Sequence, residues 1–224
     1  MRDTTVAWPS PWPIPELIAR LQCGSLLHDL TRAKQKTAGH DKREYALENV
    51  AADVMRDHFG SDHVRLRKSV ATSLCMRATN FPATRMPDVA IRDGNRIHIC
   101  ELKSSRTDNG RFDCVLDGRA RDYFRNLRHT GPNPWEVEQD LVKLHLYKTL
   151  SDSVGSCLFL MVDAFTGPGR CWTKVFQDLS LFRETMRTPL VQDLGNRFLT
   201  RTQIEPLAVG EVQARLITCE VHSD

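Results

Sequence analysis

The chain has 224 residues, more than one small domain needs and fewer than two full ones usually take. Hydrophobic residues make up 41% and charged residues 26%, a globular balance that excludes a collagen-like, largely disordered or disulfide-scaffold protein. Lys and Arg number 31 against 28 Asp and Glu, for a net charge of +3. So small a basic excess neither demands nor forbids a nucleic-acid partner, and the clustering of charge decides instead.

Seven cysteines form no CxxC pair, and their number is odd. The N-terminal prolines (Pro9, Pro11, Pro13, Pro15) would break a signal-peptide core, so a reduced, cytoplasmic protein is expected. No Cys or His pairs sit at zinc-ligand spacing. The longest apolar run, Cys157 to Val162, is far short of the roughly 18 residues a membrane span needs, so no membrane partner is expected.

The chain divides into an N-terminal arm with a short helix over 1–40, a core over 41–165, and a C-terminal extension over 166–224 packing on the same domain. The alternating prolines with Trp8 and Trp12 read as an extended arm, followed by a helix over Ile14–Leu30. Arg32–Lys42 is a polar, basic loop. Asp41 with Glu44 gives a capping-box pattern, opening a helix that runs to Phe59 and stops at Gly60. At 100° per residue Leu47, Val50, Ala51, Val54, Met55 and Phe59 share its apolar face. Glu44 and Glu48 lie on that face too, and a carboxylate aimed at a core is costly unless a partner waits for it.

Val64–Ser73 reads as a strand, and Met86–Arg92 as another. Asp93-Gly94 is a hairpin signal, with Arg96–Lys103 as the return strand. Gly110–Arg128 is Arg-rich and partly helical. Pro134 opens a helix over Trp135–Leu150, and Ser156–Ala164 is a buried strand. Lys174–Arg187 reads as a helix and Gln213–Val221 as a last strand. This order predicts an α/β fold with a mixed sheet.

The chemistry concentrates in Met86-Pro87-Asp88 and Glu101-Leu102-Lys103. With Asp93-Gly94 as a two-residue turn, Asp88 falls opposite Ile99. The period of two then puts Glu101 and Lys103 on the face of Asp88. Two adjacent carboxylates repel, and a hard cation such as Mg²⁺, or Mn²⁺ in its place, relieves that repulsion while keeping waters and a substrate phosphate in its shell. Lys103 would position a water or stabilise charge on the phosphate. Plainer readings stay open. Asp88 serves equally as a turn residue after Pro87, Glu101 and Lys103 as a solvated ion pair, and Glu48 as a surface group.

Pro87-Asp88, twelve intervening residues, then Glu101-Leu102-Lys103 resembles the signature of the PD-(D/E)xK nuclease superfamily. The resemblance covers Asp41 to Ala164. It implies a restriction-endonuclease-like core of helix, three antiparallel strands, helix and strand. It makes Asp88 and Glu101 metal ligands, the Leu102 carbonyl a further ligand, and Lys103 the catalytic lysine. Glu48 matches the carboxylate that many members carry on the first core helix, with Glu44 and His40 as alternatives.

Gln139 and Lys143, spaced i, i+4, would both reach a phosphate. The same helix is equally readable as an amphipathic one with Leu141, Leu144 and Tyr147 in the core. Arg119, Arg121, Arg125 and Arg128, with Tyr123 and Phe124 nearby, would follow a nucleic-acid backbone, or pair internally with Asp117 and Asp122. Lys34, Lys36, Lys42 and Arg43 make a second basic patch. The expected function is a metal-dependent endonuclease on double-stranded DNA, most like a type II restriction or phage-defence enzyme, with a homodimer as a suitable assembly. The alternatives are a Mn²⁺-dependent RNA endonuclease of the cap-snatching type and a catalytically idle, nuclease-like binding module.

Overall fold

A computed structural model describes residues 12–23, 42–66, 70–71, 84–85, 87–104, 134–163, 172–209 and 212–221. The arm before Trp12, His40, the Lys34 and Lys36 patch, and the segment carrying Arg119, Arg121, Arg125 and Arg128 lie outside the described residues.

Helix α1 (Ile14–Cys23) is followed by α2 (Lys42–Phe59). On α2, Leu47, Ala51, Val54 and Met55 are buried along one stripe, as their 3.6-residue spacing dictates. The helix stops at Gly60, whose φ of 92° lies in the left-handed region and whose N–H bonds Arg56 O at 2.8 Å. The described residues of the expected strand over 64–73 fall in two different sheets. Strand β1 (Val64–Leu66) joins the main sheet, whereas β2 (Val70–Ala71) pairs with β3 (Thr84–Arg85) in a separate ribbon.

Strands β4 (Val89–Asp93) and β5 (Arg96–Ser104) pair antiparallel. Helix α3 (Pro134–Leu150) then crosses over to β6 (Val154–Asp163), which runs parallel to β5. A parallel neighbour needs such a crossover, because a tight turn can only reverse the chain. Where one helix was expected over Lys174–Arg187 there are two, α4 (Trp172–Val175) and α5 (Leu179–Thr185). Asp178 separates them: it is extended, with φ −127°, and its Oδ1 accepts the Leu181 N–H at 2.9 Å as the N-cap of α5. Helices α6 (Pro189–Asp193) and α7 (Gly195–Thr200) lead into β7 (Thr202–Val209) and β8 (Val212–Val221).

The main sheet has six strands in the order β1-β4-β5-β6-β8-β7, so the C-terminal segment supplies two strands of that sheet. Strand β7 is an element that the sequence analysis did not propose; it carries Pro206, which is tolerated on an edge strand paired only to β8. Side chains alternate across the sheet. Leu158, Leu160 and Val162 of β6 meet α1 and α2 on one face, and Cys157, Phe159 and Met161 meet α3 and the C-terminal helices on the other. Cys100, Cys157 and Cys219 are buried without disulfides, and burial chiefly pushes all three thiols up, which makes them packing groups.

The β5–β6 ladder is interrupted once. Ile97 faces Val154 but Ile99 faces Cys157, so two residues of β6, Gly155 and Ser156, stand against His98. Lys148 Nζ donates to the carbonyls of Val154 and Gly155 at 3.2 and 2.7 Å, covering groups that the bulge frees. His98 is buried, its Nδ1 lies 2.8 Å from Ser156 Oγ, and burial lowers its pKa despite Asp93 nearby. A Cβ on Gly155 would fall 2.6 Å from His98 Cε1, and the ring is wedged edge-on against Trp12. Gly155→Ala is therefore expected to cost about 1–3 kcal/mol as an overpacking change. Thermal unfolding monitored by circular dichroism checks this, and an unchanged Tm would mean that the His98 ring yields freely.

Candidate active site

The hairpin that carries the candidate residues is shifted from the expected register. Asp93 pairs with Arg96, so the turn is Gly94-Asn95, with Gly94 at φ 57°, and not Asp93-Gly94. Val89 consequently faces Cys100, and one step further along Asp88 falls level with Glu101, not Ile99. The shift is two residues, a full side-chain period, so the face on which each residue stands is unchanged. Asp88 Oδ2 accepts the Leu102 N–H at 2.8 Å, which fastens the start of β4 to the middle of β5.

Glu101 and Lys103 point toward α3. There Asp140 and Lys143 complete a chain of alternating charge. Lys103 Nζ stands 2.9 Å from Asp140 Oδ2, Lys143 Nζ 3.1 Å from Asp140 Oδ1, and Lys143 Nζ again 2.7 Å from Glu101 Oε1. This is a buried arrangement: the side chains of Glu101 and Asp140 are 1% and 9% exposed, and both lysines 14%.

Burial raises the Glu101 pKa well above the ordinary carboxylate range, Asp140 and Asp88 add to the rise, and Lys143 opposes it. For Lys143 burial pulls the other way, but Glu101, Asp140 and Asp88 together outweigh it, and its pKa ends above the usual lysine value. Burial therefore disfavours a charged Glu101, while the surrounding carboxylates favour a charged Lys143.

The structure separates the remaining candidates. Glu48 is buried, 3% exposed, but stands on α2, and α2 and α3 cover opposite faces of the sheet. Among the described residues no three of His, Cys, Asp and Glu converge as a ligand set, so Glu48, Asp88 and Glu101 are not gathered into one. The Glu44 side chain lies outside the described residues. Gln139 is exposed and takes no part in the ion-pair chain, whereas Lys143 does. Leu102 faces Leu160 in the ladder, and its N–H is the one held by Asp88.

Asp140 is the participant that the sequence reading missed. Its signal was available: Val137, Asp140, Leu141 and Leu144 lie on the inward side of α3, the same periodicity that singled out Glu48 on α2. The donor chemistry here suits a hard divalent cation, which typically takes one or two carboxylates and fills the rest of its shell with other oxygens and water. Asp88 and Glu101 supply the carboxylates.

These elements define an α/β protein with a mixed six-strand sheet flanked by helices. No family model, no curated protein and no solved structure matches the chain. No described helix is long and apolar enough to cross a membrane.

Proposed function

We propose that the protein is a divalent-metal-dependent endonuclease that hydrolyses DNA phosphodiester bonds, of the kind used in restriction or phage defence. The observation that carries this reading is the Asp88–Leu102 hydrogen bond, which holds Asp88 beside Glu101 with Lys103 on the same strand face. The order α2, β1, β4, β5, α3, β6, with the first three strands antiparallel and β6 parallel, agrees with the restriction-endonuclease-like core that the signature implies.

In this proposal Asp88 and Glu101, with the Leu102 carbonyl, would hold Mg²⁺ or Mn²⁺, which would supply charge neutralisation and Lewis acidity for phosphodiester hydrolysis. Lys103 contributes a fixed positive charge toward a phosphate oxygen, and Asp140, 2.9 Å away, keeps its ammonium oriented. Burial of these groups strengthens each interaction, because water screens them weakly there.

The test is cleavage of supercoiled plasmid, genomic DNA and structured RNA, each with Mg²⁺, Mn²⁺ or EDTA. Lys103→Met is expected to lose about 10²–10³-fold in rate, the usual cost of removing one fixed electrostatic group, while retaining its fold. Discrete DNA fragments that vanish in EDTA support the reading. RNA cleavage preferring Mn²⁺ moves the substrate to RNA, and equal behaviour of wild type and Lys103→Met overturns the assignment of Lys103.

A further inference from the structure

The ion-pair chain contains two cations, and only one of them stands on the strand that carries Glu101. Lys103 already provides a positive group at the end of the cluster, bonded to Asp140. Lys143 comes from a different element, α3, and takes the closest contact in the cluster, 2.7 Å from Glu101 Oε1. That oxygen is one that a metal ion would use. The contact is a buried ion pair, with the Glu101 side chain 1% exposed and that of Lys143 14% exposed.

Charge balance makes the two cations competitors. Asp88, Glu101 and Asp140 face Lys103 and Lys143, one carboxylate more than there are ammoniums. A divalent ion added to that set overshoots neutrality inside a buried site, which is costly. If Lys143 leaves, the same ion brings the set to balance. Lys143 has a route out, because its side chain is 14% exposed and its ammonium can turn from Glu101 to water.

Resting on the metal-dependent reading above, we propose that Lys143 is a built-in counter-ion that occupies Glu101 until a divalent metal displaces it. The protein thereby stays folded around a buried carboxylate without metal, and the ammonium sets a threshold of metal concentration for loading. Lys143 is a positioning residue in this scheme, acting on Glu101 and not on substrate.

The experiment is calorimetric titration of metal-free protein with Mg²⁺ and with Mn²⁺, comparing wild type, Lys143→Gln, Lys143→Arg and Glu101→Gln. Lys143→Gln is expected to bind metal at least about tenfold more tightly than wild type, Lys143→Arg no more tightly, and Glu101→Gln far more weakly. Amine labelling of the wild type, read by mass spectrometry, gives a second measurement that needs no variant to fold. Labelling of Lys143 should rise several-fold on adding Mg²⁺ or Mn²⁺, while Lys148, held by two carbonyls, stays constant. If wild type binds metal but Lys143→Gln binds no more tightly, or Lys143 labelling does not rise, the counter-ion role is overturned and the nuclease reading stands. If no protein in the set binds either metal, the metal-dependent reading falls and takes this inference with it.

Discussion

Glu138→Ala is expected to lower the melting temperature by about 6–12 °C, the equivalent of about 3 kcal/mol in a chain of this size. Glu138 is fully buried on α3, and its carboxylate is an acceptor for three donors on the segment between α5 and α6. Oε1 takes the backbone N–H of Arg187 and, at 3.0 Å, that of Thr188; Oε2 takes the Thr188 hydroxyl at 3.1 Å. Alanine removes the charged acceptor of three part-buried hydrogen bonds, two of them from backbone N–H groups, and about 1 kcal/mol is expected for each. Thr188 is the N-cap residue of α6, so Glu138 fastens the start of that helix to α3 through the Thr188 N–H and hydroxyl.

Glu138→Gln separates charge from connectivity. Its amide keeps one acceptor oxygen but sets an NH₂ against a donor, so about half the loss is expected. Differential scanning calorimetry across the three proteins checks the order wild type, Gln, Ala. A Tm for Glu138→Ala within 2 °C of wild type would mean that water replaces the carboxylate at this position, a difference of less than about 1 kcal/mol.

Glu101→Gln is expected to act in the opposite direction on stability while removing activity. The folded protein raises the Glu101 pKa, through burial first and then Asp140, so its protonated form is the one favoured by folding. That contribution is present in full below the unfolded value of about 4.3 and is lost as pH rises through the raised folded value. Gln is neutral throughout. Without metal, Glu101→Gln should therefore match wild type near pH 4 and exceed it at pH 7–8 by about 2–4 °C, taking a differential of about 1 kcal/mol. The Lys143 ammonium keeps a carboxylate partner in Asp140, so the substitution does not strand it.

Adding Mg²⁺ should reverse the order, because only wild type gains a bound ion that stabilises the folded state by mass action. Cleavage by Glu101→Gln should fall by at least about 10²–10³-fold. Thermal shift from pH 4 to pH 8, with Mg²⁺ or with EDTA, reads both effects. A variant that melts below wild type at pH 8 in EDTA would make Glu101 a structural partner of Lys143 and nothing more.

Part of this architecture is written locally. The apolar stripe of α2, the hairpin of β4 and β5, the buried strand β6 and the last strand β8 each follow from a period within about ten residues. So does the common face of Asp88, Glu101 and Lys103. It survived a misassigned turn because the error was two residues, and strand side chains repeat every two. The inward Glu48 was legible for the same reason, as a carboxylate on an apolar stripe.

Other features depend on distant partners and leave no local period. Pro206 reads as a strand breaker until β7 is known to be an edge, and Asp178 splits a helix only because its side chain finds the Leu181 N–H. Glu48 and Glu101 both point inward, yet α2 and α3 pack on opposite faces of the sheet, and no periodicity tells which face a helix will cover. The partner of Glu101 is likewise decided by the crossover of α3, which carries Lys143 and Asp140 to it from some forty residues away in the chain. The sequence by itself determined which residues turn inward and which carboxylates and lysines share a strand face. Only the tertiary structure decided which charges meet, because burial makes an ion pair strong while chain topology selects its partner.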